Sequence, residues 1–343
     1  MVQRSDLAGI SLELKTRRFC IAPMMDWTDR HCRFFHRQLT RHALLYSEMV
    51  TADAVIHGER DRLIGFSSAE HPVALQLGGS DPDKLAEASR IGADFGYDEI
   101  NLNIGCPSDR VKSGRFGACL MAEPDTVAAC VAAMSRAVQV PVTVKCRIGI
   151  DDQDSEHDFR TFIDRVADAG CKVFIVHARK AWLTGLSPKQ NRDVPPLNYG
   201  RVHRLKAERP ELEIIINGGI ETLDDAQTHL THVDGVMLGR AAYHTPAILR
   251  HVDGAFYGDQ SRAVSADAAV EAMVPYIDEW VARGGRVSDV TRHILGVFHG
   301  QPGARVFRRH LSENGVGADV RSEVVLDALQ VRRRAARLPE VAA

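Results

Sequence analysis

The chain has 343 residues, 45% of them hydrophobic and 26% charged, with a formal net charge of −2. These values predict a soluble globular protein that can bury a large core and divide into two domains. No apolar run is long enough to span a bilayer, and residues 1–18 are not typical of a secretory signal, so we expect a cytoplasmic protein without membrane contacts. The seven cysteines include no Cys-x-x-Cys pair, which argues against a disulfide framework and against a zinc or other metal site.

The charge is unevenly distributed along the chain. Residues 283–343 contain eleven arginines and six acidic residues, an excess of five positive charges, so the rest carries an excess of seven negative ones. A basic tail on an acidic body is compatible with docking onto a polyanion. Within this tail, Arg332, Arg333, Arg334 and Arg337 are predicted to be the solvated face of a last helix.

Eight apolar, strand-like runs alternate with helical patterns. This order predicts a (β/α)8 TIM barrel rather than an open doubly wound sheet, and the turn after the first strand lacks the Gly-x-Gly-x-x-Gly sequence of a Rossmann fold. The predicted strands are residues 19–25, 44–50, 73–79, 99–106, 142–150, 172–179, 213–220 and 235–242.

A small all-helical domain is predicted after the barrel. Its helices are expected at residues 266–283, 289–297, 305–313 and 321–337. The predicted division is a short N-terminal extension (1–18), a catalytic barrel (19–255) and a helical domain (256–343). The helical domain is expected both to stabilise the barrel and to bind the substrate.

The fourth strand ends in a Gly-Cys-Pro turn that contains Cys106. Pro107 ends ladder pairing because it has no N–H, so the thiol is expected at the C-terminal end of the strand, where active sites of such barrels lie. The alternative, a small buried hydrophobic residue, describes Cys20, Cys130 and Cys171 better.

Polar residues also stand at other strand ends. The third strand contributes Gln76, the fifth Lys145 and the sixth His177. A lysine in an apolar strand is costly unless it is paired with an anion or a polar ligand, so Lys145 is expected to bind one. A bridge to a barrel carboxylate is the structural alternative, and His177 taken alone would be read as a satisfied core histidine.

The seventh and eighth strands end in Asn217-Gly218-Gly219 and Gly239-Arg240. Loops at these positions often form a phosphate site in TIM barrels, with glycine N–H groups and a cation around the anion. Together with Lys145 and Gln76, this layout suggests flavin mononucleotide (FMN). A phosphosugar lyase with Lys145 as a Schiff-base amine would need a similar layout and stays an alternative at this point.

Several longer motifs resemble the tRNA-dihydrouridine synthases, and most closely their DusA subfamily, over nearly the whole chain. They are residues 22–29 (APMMDWTD), 101–108 (NLNIGCPS), 117–121 (GACLM), 177–183 (HARKAWL), 185–189 (GLSPK) with Asn191 and Arg192, 217–220 (NGGI), 300–305 (GQPGAR) and 308–312 (RRHLS). Phe307 stands where this family is expected to have tryptophan.

The resemblance implies an FMN enzyme that uses NADPH to reduce the C5=C6 bond of tRNA D-loop uridines at positions 20 and 20a. Hydride would add at C6, and Cys106 would be the general acid that protonates C5. The residues implied to hold FMN are Pro23, Met24, Met25, Gln76, Lys145, His177, Asn217, Gly218, Gly219, Gly239 and Arg240. Those implied to contact tRNA are Asn103, Lys189, Arg192, Arg305 and Arg308. We expect a monomer.

Two rival functions remain open from the sequence. A flavin oxidoreductase acting on free pyrimidines would share the barrel and FMN but would not need the basic helical domain. A non-catalytic tRNA-binding protein would keep that domain but would not need Lys145 or the flavin ligands.

Overall fold

The computed structural model describes residues 16–108, 114–261 and 263–337. Within this part of the chain, eight parallel strands form a closed barrel in chain order, with the first strand paired to the eighth. The predicted TIM barrel is therefore confirmed. The strands are β1 (Phe19–Ile21), β2 (Leu44–Thr51), β3 (Val73–Gly78), β4 (Glu99–Ile104), β5 (Val142–Arg147), β6 (Val173–His177), β7 (Glu213–Asn217) and β8 (Gly235–Leu238).

Helices alternate with these strands along the chain. They are α1 (Arg30–Leu39), α2 (Ala52–His57), α3 (Arg60–Ile64), α4 (Pro82–Asp94), α5 (Pro124–Ala137), α6 (Glu156–Asp168), α7 (Tyr199–Glu208) and α8 (Leu223–His229). The Asp81 carboxylate caps α4 by accepting the N–H groups of Asp83 and Lys84. The residues Glu123-Pro-Asp-Thr have the same pattern and also predict a capped helix start, but the Glu123 side chain makes no capping bond to α5.

Seven of the eight strands end earlier than the sequence predicts, and β2 ends one residue later. β1 ends at Ile21 and β4 ends at Ile104, so Met24 and Cys106 follow their strands rather than extend them. The parallel register pairs Lys145 with Asn103 and pairs His177 with both Arg147 and Asn217. Polar residues of four successive strands are thus brought to neighbouring positions at one end of the barrel.

A buried ionic cluster occupies the opposite, N-terminal ends of β4 and β7. Arg17 donates to the carboxylates of Glu99 (2.6 Å) and Glu213 (3.1 Å). Tyr46 and Thr143 each donate a hydroxyl hydrogen bond of 2.6 Å to Glu99. The Oε1 atom of Glu213 is buried and has no hydrogen-bond partner among the described residues, and burial raises the pKa of Glu213 to about 7.

The described chain forms two compact units. One holds the barrel strands and comprises residues up to Asp26 together with Ala43–Gly239; the other comprises Trp27–His42 and the chain from Arg240 onward. The second unit contains α1 and seven later helices. These are α9 (Arg240–His244), α10 (Val252–Tyr257), α11 (Ala266–Glu271), α12 (Met273–Ala282), α13 (Val287–Thr291), α14 (Ala304–Asn314) and α15 (Glu323–Arg337). The predicted functional division after residue 255 stays a prediction.

The predicted helical region is present, with three differences of detail. The helix expected at 289–297 is only the short α13 (Val287–Thr291), and residues 292–297 form turns. The single helix expected at 266–283 is broken at Ala272, because Pro275 has no N–H to donate to the carbonyl of Glu271. Arg332 is not part of a solvated face, since its guanidinium lies 3.8 Å above the Phe298 ring and pairs with Asp267. Arg333 is also paired with Asp267.

Phe307, the departure from the family pattern, is fully buried and packs edge-on against Phe298 at 4.8 Å. None of the helices in the described ranges is both long and apolar enough to cross a bilayer.

Candidate active site

Cys106 lies on a tight turn after β4 that is held by Asn103. The Asn103 Oδ1 atom accepts the N–H groups of Gly105 (3.0 Å) and Cys106 (2.9 Å). The Cys106 carbonyl accepts the N–H of Ala118 at 3.0 Å, so the loop returns beside the turn. Cys106 is half-buried, as is Cys119, whereas the other five cysteines are buried, including the three predicted to be packed in the core. Residues 109–113 of this loop lie outside the described residues.

Three side-chain amides form a hydrogen-bonded chain beneath this turn. Asn103 Nδ2 donates to Gln76 Oε1, and Gln76 Nε2 donates to Asn101 Oδ1, both at 2.8 Å. Asn101 in turn donates to the Thr143 hydroxyl at 2.8 Å. Alternate residues of β4 face one side, so Asn101 and Asn103 share the barrel interior. Because Asn103 is only 8% exposed and already bonded at both amide atoms, its predicted tRNA contact would require this arrangement to change.

Lys145 reaches across the barrel to β7. Its Nζ atom donates to Asn217 Oδ1 at 3.1 Å, and Asn217 Nδ2 donates to the Met237 carbonyl at 2.7 Å. No carboxylate in the described part of the chain pairs with Lys145, so the alternative of a structural ion pair is not realised. Burial, together with the nearby Arg147 charge, lowers the pKa of Lys145 to about 8.

His177 at the end of β6 carries a buried polar atom without a partner. Its Nδ1 atom makes no hydrogen bond to the described residues. Burial, and to a smaller extent the charges of Arg147 and Lys145, lower the pKa of His177 well below its usual value. The imidazole is therefore neutral at physiological pH. A neutral imidazole with an unused nitrogen can donate to or accept from a bound molecule.

The turn after β7 requires its glycines. Gly218 and Gly219 have φ angles of 110° and 69°, a region that favours glycine. A Cβ atom on Gly218 would lie 3.2 Å from the His177 ring, and one on Gly219 would lie 2.6 Å from Leu197. The backbone therefore passes closely beside His177. A Cβ atom on Gly239 would meet only ordinary contacts at 3.5 Å or more.

The two methionines in the segment after β1 differ in burial. Met24 packs against the apolar barrel core, and Met25 is 54% exposed. Pro23, before them, is partly buried. Asp26, at a φ of 65°, ends the segment and donates its N–H to the Glu48 carboxylate.

The loop after β6 carries two of the predicted tRNA contacts. Lys189 and Arg192 are exposed, on either side of the fully buried Asn191. The Asn191 amide accepts the Trp182 N–H at 2.8 Å and donates to the Trp182 carbonyl at 2.9 Å. The basic side chains thus project from a loop that is internally fixed.

The family model described as "Dihydrouridine synthase (Dus)" matches residues 20–332. The chain belongs to the dihydrouridine synthase family. Among curated relatives, the tRNA-dihydrouridine(20/20a) synthase of Xanthomonas campestris pv. campestris is 58% identical over 91% of this chain and 93% of its own length. The proteins of the same name from Shewanella oneidensis and Synechocystis sp. are 57% and 56% identical, over 89% and 91% of this chain and 92% and 94% of theirs.

A solved structure shares the fold of this dihydrouridine synthase family member at low sequence identity. A 2-naphthoyl-CoA reductase in complex with 2-naphthoyl-CoA has a TM-score of 0.54 and 10% identity, over 73% of this chain and 51% of the other. At this identity the likeness concerns the fold alone.

The remaining predicted residues of this synthase family member lie in the second unit. Arg240 begins α9, directly after Gly239 in the chain. Arg305 and Arg308 are exposed on α14, whose other side buries Phe307 and Leu311. Neither arginine forms an ion pair within the described ranges, so both remain available to an anionic partner.

Sequence reasoning missed the importance of Arg147. It ends β5, two residues after Lys145, and is only 4% exposed. Its Nε and Nη1 atoms donate to the carbonyls of Gly105, Lys180 and Asn191. The available signal was a second cation in the same strand, on the same face as Lys145.

Proposed function

We propose that this protein is a tRNA-dihydrouridine(20/20a) synthase, which reduces the C5=C6 bond of D-loop uridines with electrons from NADPH through bound FMN. The observation that carries the proposal is the site at the C-terminal ends of the barrel strands. There a thiol on a fixed turn, Cys106, follows β4. Lys145 lies two residues before the end of β5, and His177, whose Nδ1 atom has no partner among the described residues, ends β6. This arrangement occurs in a chain 58% identical to a relative of that name.

The donors of the barrel fit FMN. Lys145 has no counter-ion in the described chain, and His177 has an unused buried nitrogen, so both can bind the polar edge of an isoalloxazine ring. Gln76 and Asn217 provide further amide groups at the same strand ends, and Pro23, Met24 and Met25 provide apolar surface. FMN, when bound and reduced, would supply the hydride.

The phosphate of FMN is assigned to the turns after β7 and β8. Gly218 and Gly219 have no Cβ atom that would block access to their backbone N–H groups, and Gly239 is followed by Arg240. Glycine-rich turns with a cation are a common anion site in barrels of this kind.

Cys106 is the proposed general acid. When hydride adds to C6 of uracil, the electrons of the C5=C6 bond move toward the C4 carbonyl, and C5 must then take a proton. The Sγ–H bond of Cys106 breaks and its proton goes to C5, which leaves a thiolate that is reprotonated from water. A thiol suits this role because its S–H bond is acidic enough to donate a proton to the developing charge on C5.

The tRNA contacts are assigned to exposed arginine and lysine side chains. Lys189 and Arg192 project from the loop after β6, and Arg305 and Arg308 from α14. A uridine must leave its stack to reach a barrel site, and basic side chains on the surrounding backbone stabilise that opened state. For Asn103, whose amide holds the Cys106 turn, contact with the base stays a prediction. We further propose a monomeric cytoplasmic enzyme without a metal.

The proposal is tested by supplying NADPH and unmodified tRNA to the purified protein and counting dihydrouridine by mass spectrometry. The protein is expected to be yellow and to form dihydrouridine at positions 20 and 20a. Cys106→Ala should still allow NADPH to bleach the flavin, but product formation should fall by roughly 100-fold to 10,000-fold. Cys119→Ala, the other half-buried thiol, is the matched control and should keep the normal rate.

Each rival function has its own outcome in this experiment. Reduction of free uridine as fast as tRNA would favour a small-molecule oxidoreductase. Colourless protein that binds tRNA without making product would favour a pure binding protein. If Cys106→Ala forms dihydrouridine at the normal rate, another group is the acid.

A further inference from the structure

The guanidinium of Arg147 links three segments that are far apart in sequence. Its Nε atom donates to the Gly105 carbonyl at 2.9 Å, beside Cys106. Its Nη1 atom donates to the carbonyls of Lys180 (2.9 Å) and Asn191 (3.0 Å), at the beginning and near the end of the loop after β6. One side chain therefore holds the turn of the proposed acid and the loop of two proposed tRNA contacts.

Burying the charged guanidinium of Arg147 is energetically unfavourable. Arg147 pairs with no carboxylate within the described residues, and only backbone carbonyls accept its hydrogen bonds. Burial, together with the charges of Arg192 and Arg179, lowers the pKa of Arg147 to about 10, so it is still a cation at neutral pH. A buried charge without a counter-ion destabilises the fold, which argues that the rigid geometry it creates serves the reaction.

Asn191 connects Arg147 to the rest of the loop after β6. Its own carbonyl accepts from Arg147, and its side-chain amide is bonded to both the N–H and the carbonyl of Trp182. Asn191 is the middle residue of a short 3-10 turn, Gln190–Arg192, which Lys189 directly precedes. The position of Asn191 therefore determines where the Lys189 and Arg192 side chains project.

We propose that Arg147 is a positioning residue that locks the Cys106 turn to the Lys189–Arg192 loop, so that the general acid and the tRNA-docking side chains are held in one geometry. This inference rests on the proposed function. Loss of the lock would let Cys106 move relative to the docked base, and a displacement of about 1 Å can cost roughly 100-fold in rate.

The test uses Arg147→Lys in the flavin-loaded enzyme. Lysine keeps the charge but cannot make all three directed bonds. Alkylation of Cys106 by iodoacetamide, followed by peptide mass spectrometry, should become roughly tenfold faster, as expected from the loss of one or two hydrogen bonds. Single-turnover dihydrouridine formation from bound tRNA should fall roughly 10- to 100-fold. Flavin reduction by NADPH should change little.

Arg201→Lys is the matched control. Arg201 also donates to backbone carbonyls, those of Ile148 and Asp154, but to neither of the two linked segments. It should leave both Cys106 alkylation and dihydrouridine formation near the wild-type values. An effect of Arg201→Lys equal to that of Arg147→Lys would mean general destabilisation and would overturn the assignment.

The outcomes separate this inference from the proposed function. Unchanged alkylation in Arg147→Lys overturns the lock, whatever the reaction rate. If the wild-type enzyme makes no dihydrouridine, the proposed function fails while the alkylation comparison still tests the lock. If Arg147→Lys does not fold, hydrogen exchange of the wild-type chain decides: the N–H groups of Cys106 and Trp182 should exchange through one shared opening, and separate openings overturn the lock.

Discussion

Replacing Lys145 should stabilise the flavin-free protein even though it removes a proposed cofactor ligand. The structure buries this cation beside Arg147, and within the described part of the chain its one hydrogen-bond acceptor is the neutral side chain of Asn217. Its pKa falls from 10.5 in the unfolded chain to about 8 in the folded one. Below pH 8 both states are protonated, and the folded state then carries the full cost of the buried charge, about 3 kcal/mol.

This cost has a definite pH dependence. Between pH 8 and pH 10.5 the folded state binds fewer protons than the unfolded state, so the cost fades as the pH rises. Lys145→Met removes the cost of the buried charge, but it leaves the Asn217 Oδ1 atom without its donor, which costs about 1–2 kcal/mol. The net gain at pH 7 is therefore expected to be about 1–2 kcal/mol.

The assay is urea unfolding of flavin-free wild type and Lys145→Met at pH 7 and pH 10. The loss of the Lys145–Asn217 bond and any packing change contribute equally at both pH values. The change with pH in the stability difference between the two proteins therefore reports the buried charge alone. The advantage of the variant should shrink by about 2 kcal/mol between pH 7 and pH 10. An advantage that does not change with pH would refute the reasoning. Lys84→Met is the control, because Lys84 is an exposed lysine whose ion pair with Asp53 raises its pKa, so removing it should bring no gain.

Three further predictions follow from the same structure. Glu213→Gln should make the protein more stable than wild type at pH 8 but not at pH 5, because the raised pKa of the buried Glu213 makes wild-type stability fall as the pH rises through about 7; urea midpoints measure this. Arg305→Ala and Arg308→Ala should weaken tRNA binding and each reduce its salt dependence by about one charge in filter-binding titrations, with NADPH-driven flavin reduction unchanged. Gly303→Ala should lower the thermal midpoint, because Gly303 has a φ of 78° and a Cβ there would lie 2.6 Å from a backbone oxygen of α15.

Each of these predictions has a control and a contrary result. Glu211→Gln, an exposed carboxylate two residues away, should leave the difference in stability between pH 5 and pH 8 as in wild type, because its hydrogen bond with Arg209 lowers its pKa and places its titration below that range. Arg334→Ala, an exposed arginine on α15, should bind tRNA like wild type, and equal losses in all three arginine variants would point to a non-specific effect of charge. Gly254→Ala meets only an ordinary contact at 3.6 Å and should be tolerated; a fully stable Gly303→Ala would contradict the close approach of the two helices.

The sequence alone was enough for the fold class and for the order of its elements. All eight strands were located, because a strand buried on both faces is a continuous apolar run between turn residues, and that signal is local. The family was recognised from long motifs in the right order, such as residues 101–108 and 217–220. Local patterns were less reliable for caps and ends: Glu123 does not cap α5, and Pro275 splits a helix predicted to be continuous.

Only the tertiary structure showed which polar groups meet. Lys145 and Asn217 are 72 residues apart and bond across the barrel, and the three acceptors of Arg147 come from two different loops. Asn103 is bonded to Gln76 and to the Cys106 turn, which its residue type alone does not reveal, and its contact with the substrate stays a prediction. A residue type in a sequence specifies what it can donate or accept, but its partner depends on barrel closure and strand register, which depend on the packing of the whole chain.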